Sequence, residues 1–396
     1  MIPGRGSATP SAPFVVRDGK SLVGQLGAGR LRVAMDATPL LGARTGIGRM
    51  TARFVTELAT DPGLELVAFA VTWRGRDTLR AQLPTGVRAA TRPIPARLVR
   101  EAWRHLEFPR VEQWTGAVDV VHATNFVAPP TRRPTLVSVA DLSFIVHPET
   151  CTPDTRAYDG LIRRALRRGA HVHAISDAMR DEILDHFDLP PARVHRIYPG
   201  VDVPPPGDAA RGRHLAGRAR YIVAIGTIEP RKDYPALVRA FDLLAADDPD
   251  IGLVVVGQAG WDNGAFEAEV ARARAGDRIR VTGFVDEVDR NDLLAGAGTL
   301  AYPSRYEGFG FPPLEAMAAG IPVVATDAGS LPEVLGDAAS LVAVGAVDEL
   351  AAAIRRVLDD EVWAAELIAR GRRRVLRYSW SESARALGAL YREIAA

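Results

Sequence analysis

From residue 31 onward, short apolar runs alternate with amphipathic stretches. LRVAMDA (31–37) reads as a buried strand, because strands covered on both faces become continuous apolar runs. GRMTARFVTELA (48–59) then places its apolar residues at helical spacing. Further strands are predicted at LELVAFAV (64–71), VDVVHA (118–123), TLVSVA (135–140), HVHAI (171–175) and around VHRIY (194–198), with helices near 154–168 and 177–187. This alternation builds an open parallel sheet. PGVDVPPPGDAARGRHLAGR, starting at 199, interrupts it with dense Pro and Gly and reads as a linker over 200–218. The alternation restarts at once, with strands predicted at YIVAIG (221–226), IGLVVVG (251–257), IRVTGF (279–284), TLAYPS (299–304), PVVAT (322–326) and SLVAV (340–344).

The expected fold class is therefore α/β, with two doubly wound, Rossmann-like domains. The first spans 30–199 and the second 219–378, and a last helix near 379–396 could pack back on the first. In such sheets the ligand lies at the carboxyl ends of the strands. Two such faces across a linker make a cleft, the natural binding site.

Composition narrows the partners. The chain has 396 residues, 47% hydrophobic and 24% charged, with a formal net charge of +1. That balance gives no bulk electrostatic argument for nucleic acid. Cys151 is the single cysteine, which excludes an internal disulfide framework and a cysteine zinc cluster. No apolar run reaches membrane-spanning length. The first 29 residues are rich in Gly, Ser, Pro and Arg, lack the apolar core of a signal peptide, and read as a mobile tail. The expected location is cytoplasmic, with contact at a membrane surface left open. RLVREAWRHLEFPR (97–110) and RRALRR (163–168) could meet anionic lipid or simply be solvated helix faces.

The residues after the strands carry the candidate chemistry. In GARTGIGR (42–49), Gly46 and Gly48 open a helix and could cradle a diphosphate, or form only a tight turn. GIGRMT lacks the third glycine of a dinucleotide fingerprint. GTIEPRKD (226–233) presents Arg231 and Lys232 after a strand, and Lys232 is one of only two lysines, the other being Lys20. Where arginine is used so freely, that lysine points to a compact ammonium, a cationic clamp on a leaving diphosphate. In RYEGFGFPPLEAMAAG (305–320), Glu307 precedes a glycine-rich turn and Glu315 follows eight residues later. Pro312 and Pro313 suit a first helical turn, so a helix over 313–320 with Glu315 in its first turn is expected. The exposed amides beside it suit an anion, and the carboxylates suit sugar hydroxyls. An Asp-x-Asp in DDPD (247–250) lies on the wrong edge of the sheet for a metal site, so no metal and no cofactor are expected.

These features together resemble a family-4-type retaining glycosyltransferase of the GT-B architecture, of mannosyltransferase kind. The resemblance covers residues 31–396 and rests on GIGR, GTIEPRKD, the run VTGFVDEVDRNDLLAGAGTLAYPSRYEGFGFPPLEAMAAGIPVVATDAGSLPEV (281–334) and the Glu307–Glu315 spacing. It implies that Glu307 contacts the donor sugar and Glu315 the nucleotide ribose. Amides of Phe309, Gly310 and Phe311, with Leu314 beside them, would touch sugar and phosphate. Arg231 and Lys232 would bind the diphosphate, and Phe284 and Val285 would meet the base. The implied donor is a nucleotide-diphosphate sugar, GDP-mannose by resemblance, and the acceptor a glycan or lipid-linked glycan. One position departs from the pattern: the chain reads VADLSF, with Ala140 where relatives often carry histidine before Asp141. His122 or His147, with Asp141, could support acceptor binding or catalysis in its place. A non-catalytic nucleotide-sugar-binding protein and a glycoside hydrolase using Glu307 and Glu315 are the competing readings.

Overall fold

The computed structural model describes residues 29–42, 46–73, 75–261 and 263–396, so the expected tail falls almost wholly outside the described residues. Seven strands form the first sheet: β1 (Leu31–Asp36), β2 (Leu64–Thr72), β3 (Arg88–Pro93), β4 (Val120–Ala123), β5 (Thr135–Val139), β6 (His171–Ala174) and β7 (Val194–Arg196). Their order is β3-β2-β1-β4-β5-β6-β7, and every pairing is parallel. Six strands form the second: β8 (Arg220–Ile225), β9 (Ile251–Val256), β10 (Ile279–Gly283), β11 (Thr299–Tyr302), β12 (Val323–Thr326) and β13 (Ser340–Val342). Their order is β10-β9-β8-β11-β12-β13, again all parallel. In both sheets the order reverses beside the first strand, so the topological switch points lie at β1/β4 and β8/β11. Crevices open at such points.

Apolar content explains the central strands: β4, β5, β9, β11 and β12 are buried at every residue. The edge strand β3 escaped the sequence pattern because RAATRP is polar and largely exposed, with Ala90 alone buried.

The linker departs from expectation. Its second half folds as a helix, Ala209–Ala216, packed against the helix Glu287–Gly296 of the second lobe. The Asp208 carboxylate caps it by accepting from the amides of Ala210 and Arg211, and Arg211 pairs with Asp289 and Asp292. Only the stretch before Asp208 crosses between the lobes as an extended strap. The C-terminal helix, Trp380–Ala395, lies on the first helix of the first lobe, Gly46–Leu58. Trp380 meets Phe54 edge-on at 5.5 Å, and Arg392 pairs with Asp61 at 2.8 Å. The two connections run side by side, with the Val201 amide donating to the Tyr378 carbonyl at 3.0 Å.

The carboxyl ends of the two sheets meet. Ser176 Oγ, after β6, donates to the Gly308 carbonyl after β11 at 2.9 Å. Glu333 of the second lobe accepts from the amides of Asp177 and Ala178, at the start of the helix Asp177–Phe187, at 2.7 and 2.8 Å. A carboxylate there satisfies orphan donors and the helix dipole. No helix among the described residues is long and apolar enough to cross a membrane.

Candidate active site

The loop after β11 and the turn after β8 bring Glu307, Arg231 and Lys232 together. Lys232 Nζ lies 2.5 Å from Glu307 Oε1, and Arg231 Nη1 lies 3.1 Å from Glu307 Oε2. Tyr302, the last residue of β11, closes the group by donating to Glu307 Oε1 at 3.0 Å and accepting from Lys232 at 2.5 Å. Glu307, Lys232 and Tyr302 are buried, at 6%, 8% and 1% exposure, and Arg231 is half-buried beside them. Burial alone raises a carboxyl pKa, but the charges of Arg231 and Lys232 outweigh it and hold Glu307 at about 2. Burial draws the Lys232 pKa down, against the pull of Glu307. Burial opposes the charge on Arg231 too, yet Glu307, Asp141 and Glu229 keep its pKa well above the usual value. The result is a buried carboxylate with a cation on each oxygen.

Glu315 sits elsewhere and is held differently. Its helix spans Phe311–Ala318, two residues earlier than expected, so Glu315 falls outside the first turn. The chain turns at Gly310, whose φ of +106° suits glycine, and Phe311 rather than Pro313 begins the helix. Glu315 bridges the lobes: Oε1 pairs with Arg49 of the first helix at 2.6 Å, and Oε2 with Arg290. Burial and the neighbouring Arg49 lower Arg290 to about 10.

The remaining candidates divide. Gly46 lies against the Phe311 ring, at 3.5 Å from where a Cβ would stand, and Gly48 is buried in the first helix. Residues 43–45 of the preceding loop lie outside the described residues. Phe309 and Leu314 are buried anchors, so only their backbone is left to meet a ligand. Phe284 is 74% exposed, whereas Val285 packs against the core. Asp141 lies in the interlobe cleft and accepts from the Ser143 amide and hydroxyl at 3.0 and 2.6 Å. The His147 ring stands edge-on to Tyr306 at 5.7 Å. Gly308 presses on the first lobe, and a Cβ there would fall on the Ala140 carbonyl oxygen.

His122 does not face the cleft. It is fully buried, with Nδ1 bonded to Tyr391 Oη at 2.6 Å and Nε2 to Ser138 Oγ at 2.8 Å. Ser138 passes the chain to His173 at 2.8 Å, and His173 reaches the Ile197 carbonyl at 2.9 Å. Burial, then His173, push the His122 pKa down, and burial lowers His173 to about 4. Strand alternation points the 122 side chain to the face of the sheet that the C-terminal helix covers, where Tyr391 takes it. Asp248 of the DDPD stretch caps the start of β9 and pairs with Arg220.

Several partners had no sequence signal of their own. Tyr302, Tyr306 and Glu333 read as strand, loop and helix residues, and Arg49 and Arg290 as two arginines among many. Tyr306 reaches across the cleft, donating to Glu182 at 2.6 Å and accepting from the Leu142 amide at 3.1 Å. The position of Arg49 directly after a motif glycine, in GIGR, is the one cue that could have found it.

Known proteins share the sequence family and the fold. The family described as Glycosyltransferase Family 4 matches residues 44–204, and that described as Glycosyl transferases group 1 matches residues 209–374. The O-antigen chain mannosyltransferase B of Escherichia coli is 30% identical over 370 residues, covering 88% of this chain and 96% of that protein. The MMP alpha-(1->4)-mannosyltransferase of Mycolicibacterium hassiacum is 32% identical over 247 residues, 60% of this chain and 58% of that one. A D-inositol 3-phosphate glycosyltransferase of Salinispora tropica is 34% identical over 236 residues, 54% and 49%. Among solved structures, sucrose-phosphate synthase from Thermosynechococcus elongatus superposes with a TM-score of 0.72 at 21% identity, covering 92% of this chain and 99% of that one. The Anabaena protein HepE in complex with UDP-glucose gives 0.70 at 19%, covering 92% and 100%. The two opposed parallel sheets, the pair of family matches and the relative matched along nearly its whole length have one reading: this chain is a GT-B glycosyltransferase of the family-4 type.

Proposed function

We propose that the chain transfers mannose from GDP-mannose, with retention and without a divalent metal, to a hydroxyl of a glycan or lipid-linked glycan. The observation that carries this reading is the buried pairing of Lys232 and Arg231 with Glu307 at the β8/β11 switch point. Two cations fixed there suit the charge that grows on a departing diphosphate, and preorganised charge in a dry site needs no reorganisation as the reaction proceeds. The acceptor oxygen bonds to the anomeric carbon as the bond from that carbon to the phosphate oxygen breaks. The acceptor's proton passes to the departing phosphate oxygen. Glu307 is assigned to the donor sugar, Glu315 to the ribose and the amides of Phe309, Gly310 and Phe311 to sugar and phosphate. The mannosyltransferase relatives support the sugar, and guanine is carried over with it.

A hydrolase reading fits less well. A general acid needs its pKa raised toward the working pH, whereas Glu307 is held at about 2. Ala140 keeps a binding-only reading in play. The assigned setting is cytoplasmic, at or near the inner membrane surface. Leu98, Leu106 and Phe108, exposed at 66%, 56% and 60% beside Arg97 and Arg104, support contact with anionic lipid. Incubation with GDP-mannose, UDP-glucose and mannosyl acceptors in the presence of EDTA should yield a mannosylated product from GDP-mannose. Activity lost to EDTA and restored by manganese would overturn the metal-free mechanism. Calorimetric binding of GDP-mannose without turnover on any acceptor would favour the binding reading.

A further inference from the structure

Glu307 is held by the second lobe through its side chain and by the first through its neighbours in the chain. Its carboxylate is bound by Lys232, Arg231 and Tyr302, all of the second lobe. Residues 306 and 308, on either side of it, are tied to the first lobe. The Gly308 carbonyl accepts from Ser176 Oγ at 2.9 Å. The Tyr306 hydroxyl donates to Glu182, on the helix Asp177–Phe187, at 2.6 Å and accepts from the Leu142 amide at 3.1 Å. Within its own lobe the Tyr306 carbonyl accepts from Arg231 Nη1 at 2.8 Å, the nitrogen that also pairs with Glu307. One residue thus meets the first lobe with its side chain and the second lobe's guanidinium with its backbone.

The bond exists only where the lobes meet, and both ends depend on it. Tyr306 is 4% exposed, and a buried phenol needs a hydrogen-bond partner. Burial raises the Glu182 pKa, against the bond from Tyr306, so the carboxylate also relies on that donor. A hydrogen bond to a charged acceptor is among the stronger kinds. Met179 Sδ at 3.5 Å and the His147 ring, edge-on at 5.7 Å, wall the phenol in from the first lobe. Among the described residues no first-lobe side chain bonds the Glu307 carboxylate directly, so that lobe acts on it through residues 306 and 308.

Building on the transferase reading above, we propose that Tyr306 and Glu182 form a positioning clasp that sets Glu307 and Arg231 in register with the first lobe for the transfer step. Tyr306 is a positioning residue, since its hydroxyl is taken up by Glu182 and the Leu142 amide. The donor contacts proposed above all lie on the second lobe, so donor binding survives loss of the clasp. The transfer step does not, because a misplacement of about 1 Å between reacting groups can cost about 100-fold in rate.

The test measures steady-state transfer from GDP-mannose to methyl α-mannoside, and hydrogen exchange at the Leu142 amide in the full chain saturated with GDP. Tyr306→Phe keeps the ring and deletes the hydroxyl. It should lower kcat at least tenfold, with the donor KM within threefold and the GDP dissociation constant within twofold, and should speed exchange at Leu142 at least tenfold. Glu182→Leu should match its loss of kcat. Glu182→Gln keeps an acceptor oxygen and should restore kcat to within threefold of wild type. The double variant Tyr306→Phe/Glu182→Leu should be no slower than either single, because both remove the same bond. A residue that only stabilises the fold gives neither the rescue nor a loss confined to kcat. Wild-type kcat in Tyr306→Phe, glutamine as damaging as leucine at 182, or single effects that multiply in the double variant would overturn the proposal. The transferase reading fails separately: exchange at Leu142 that speeds up in Tyr306→Phe, without turnover of any nucleotide sugar, would leave the clasp in place and remove the transferase assignment.

Discussion

Replacing Lys232 with methionine keeps the aliphatic stem and removes one of the two charges on Glu307. Its cost follows from the carboxylate's environment. A pKa of about 2, against an ordinary 4.5, means that the surroundings favour the ionised form by about 3 kcal/mol, net of the desolvation penalty. Lys232 supplies one of the two charge contacts, at 2.5 Å, and Arg231 the other, at 3.1 Å. Breaking a buried pair from one side costs about 3–5 kcal/mol, because the remaining charge stays desolvated. Arg231 remains on Oε2, so Lys232→Met should fall at the low end, about 3 kcal/mol. Glu307→Gln leaves two cations crowded without their anion and should cost a similar amount. The double variant has neither orphan, so it should be more stable than the sum of the singles implies, by about 2 kcal/mol. Equilibrium urea unfolding of the four proteins at pH 7, followed by tryptophan fluorescence, measures this. Single effects that add to within about 0.5 kcal/mol would refute the coupling and the network drawn around Glu307. The pH dependence has a defined sign. Because the folded-state pKa is depressed, Glu307 stabilises the fold fully above pH 4.5 and loses that contribution as pH falls toward 2, so Glu307→Gln should flatten the stability profile across that window.

The buried His122 and His173 make the first lobe acid-sensitive. Their folded pKa values lie below 6.5, so the unfolded chain takes up protons first, and the melting temperature should fall from pH 6.5 toward 4, less steeply in His173→Asn. Gly308→Ala drives a methyl group into the Ala140 carbonyl, so turnover should drop at least tenfold with circular dichroism unchanged; full activity would mean that the lobes need not meet at this point. Arg49→Ala frees one oxygen of Glu315 from a partly exposed cross-lobe pair worth about 0.2–1 kcal/mol, so GDP should bind up to about fivefold tighter by calorimetry. Binding weakened tenfold would instead make Arg49 a phosphate contact.

The strand run and the restart after residue 218 were readable because parallel strands advertise themselves as apolar runs. β3 was not, since an edge strand needs no such run. The grouping of Glu307 with Arg231 and Lys232 could be inferred from strand-end positions alone, because sheet order places the ends of β8 and β11 side by side. Their partner Tyr302 could not, as its hydroxyl is invisible in a sequence that reads it as strand filler. His122 shows the limit most clearly. The end of a strand says that a residue is near the ligand face but not which way its ring turns, and here Tyr391, 269 residues later, claims it. Helix starts fared similarly: two prolines suggested the boundary, while a left-handed glycine one position before Phe311 set it.

The return of the C-terminal helix decides how the molecule can be cut and recombined. Trp380 stacks on Phe311 at 6.4 Å while its other side meets Phe54, and Gly200 lies directly against it, so the second crossing is wedged beneath the first. The second lobe is therefore an insertion within the first rather than a module appended to it. A chimera that swaps everything after residue 208 with a relative would bring along a foreign Tyr391 and Arg392 and strand His122 and Asp61 without their partners. An exchange of 209–376 alone keeps those contacts intact, so the second lobe can be transplanted by two cuts where one would fail.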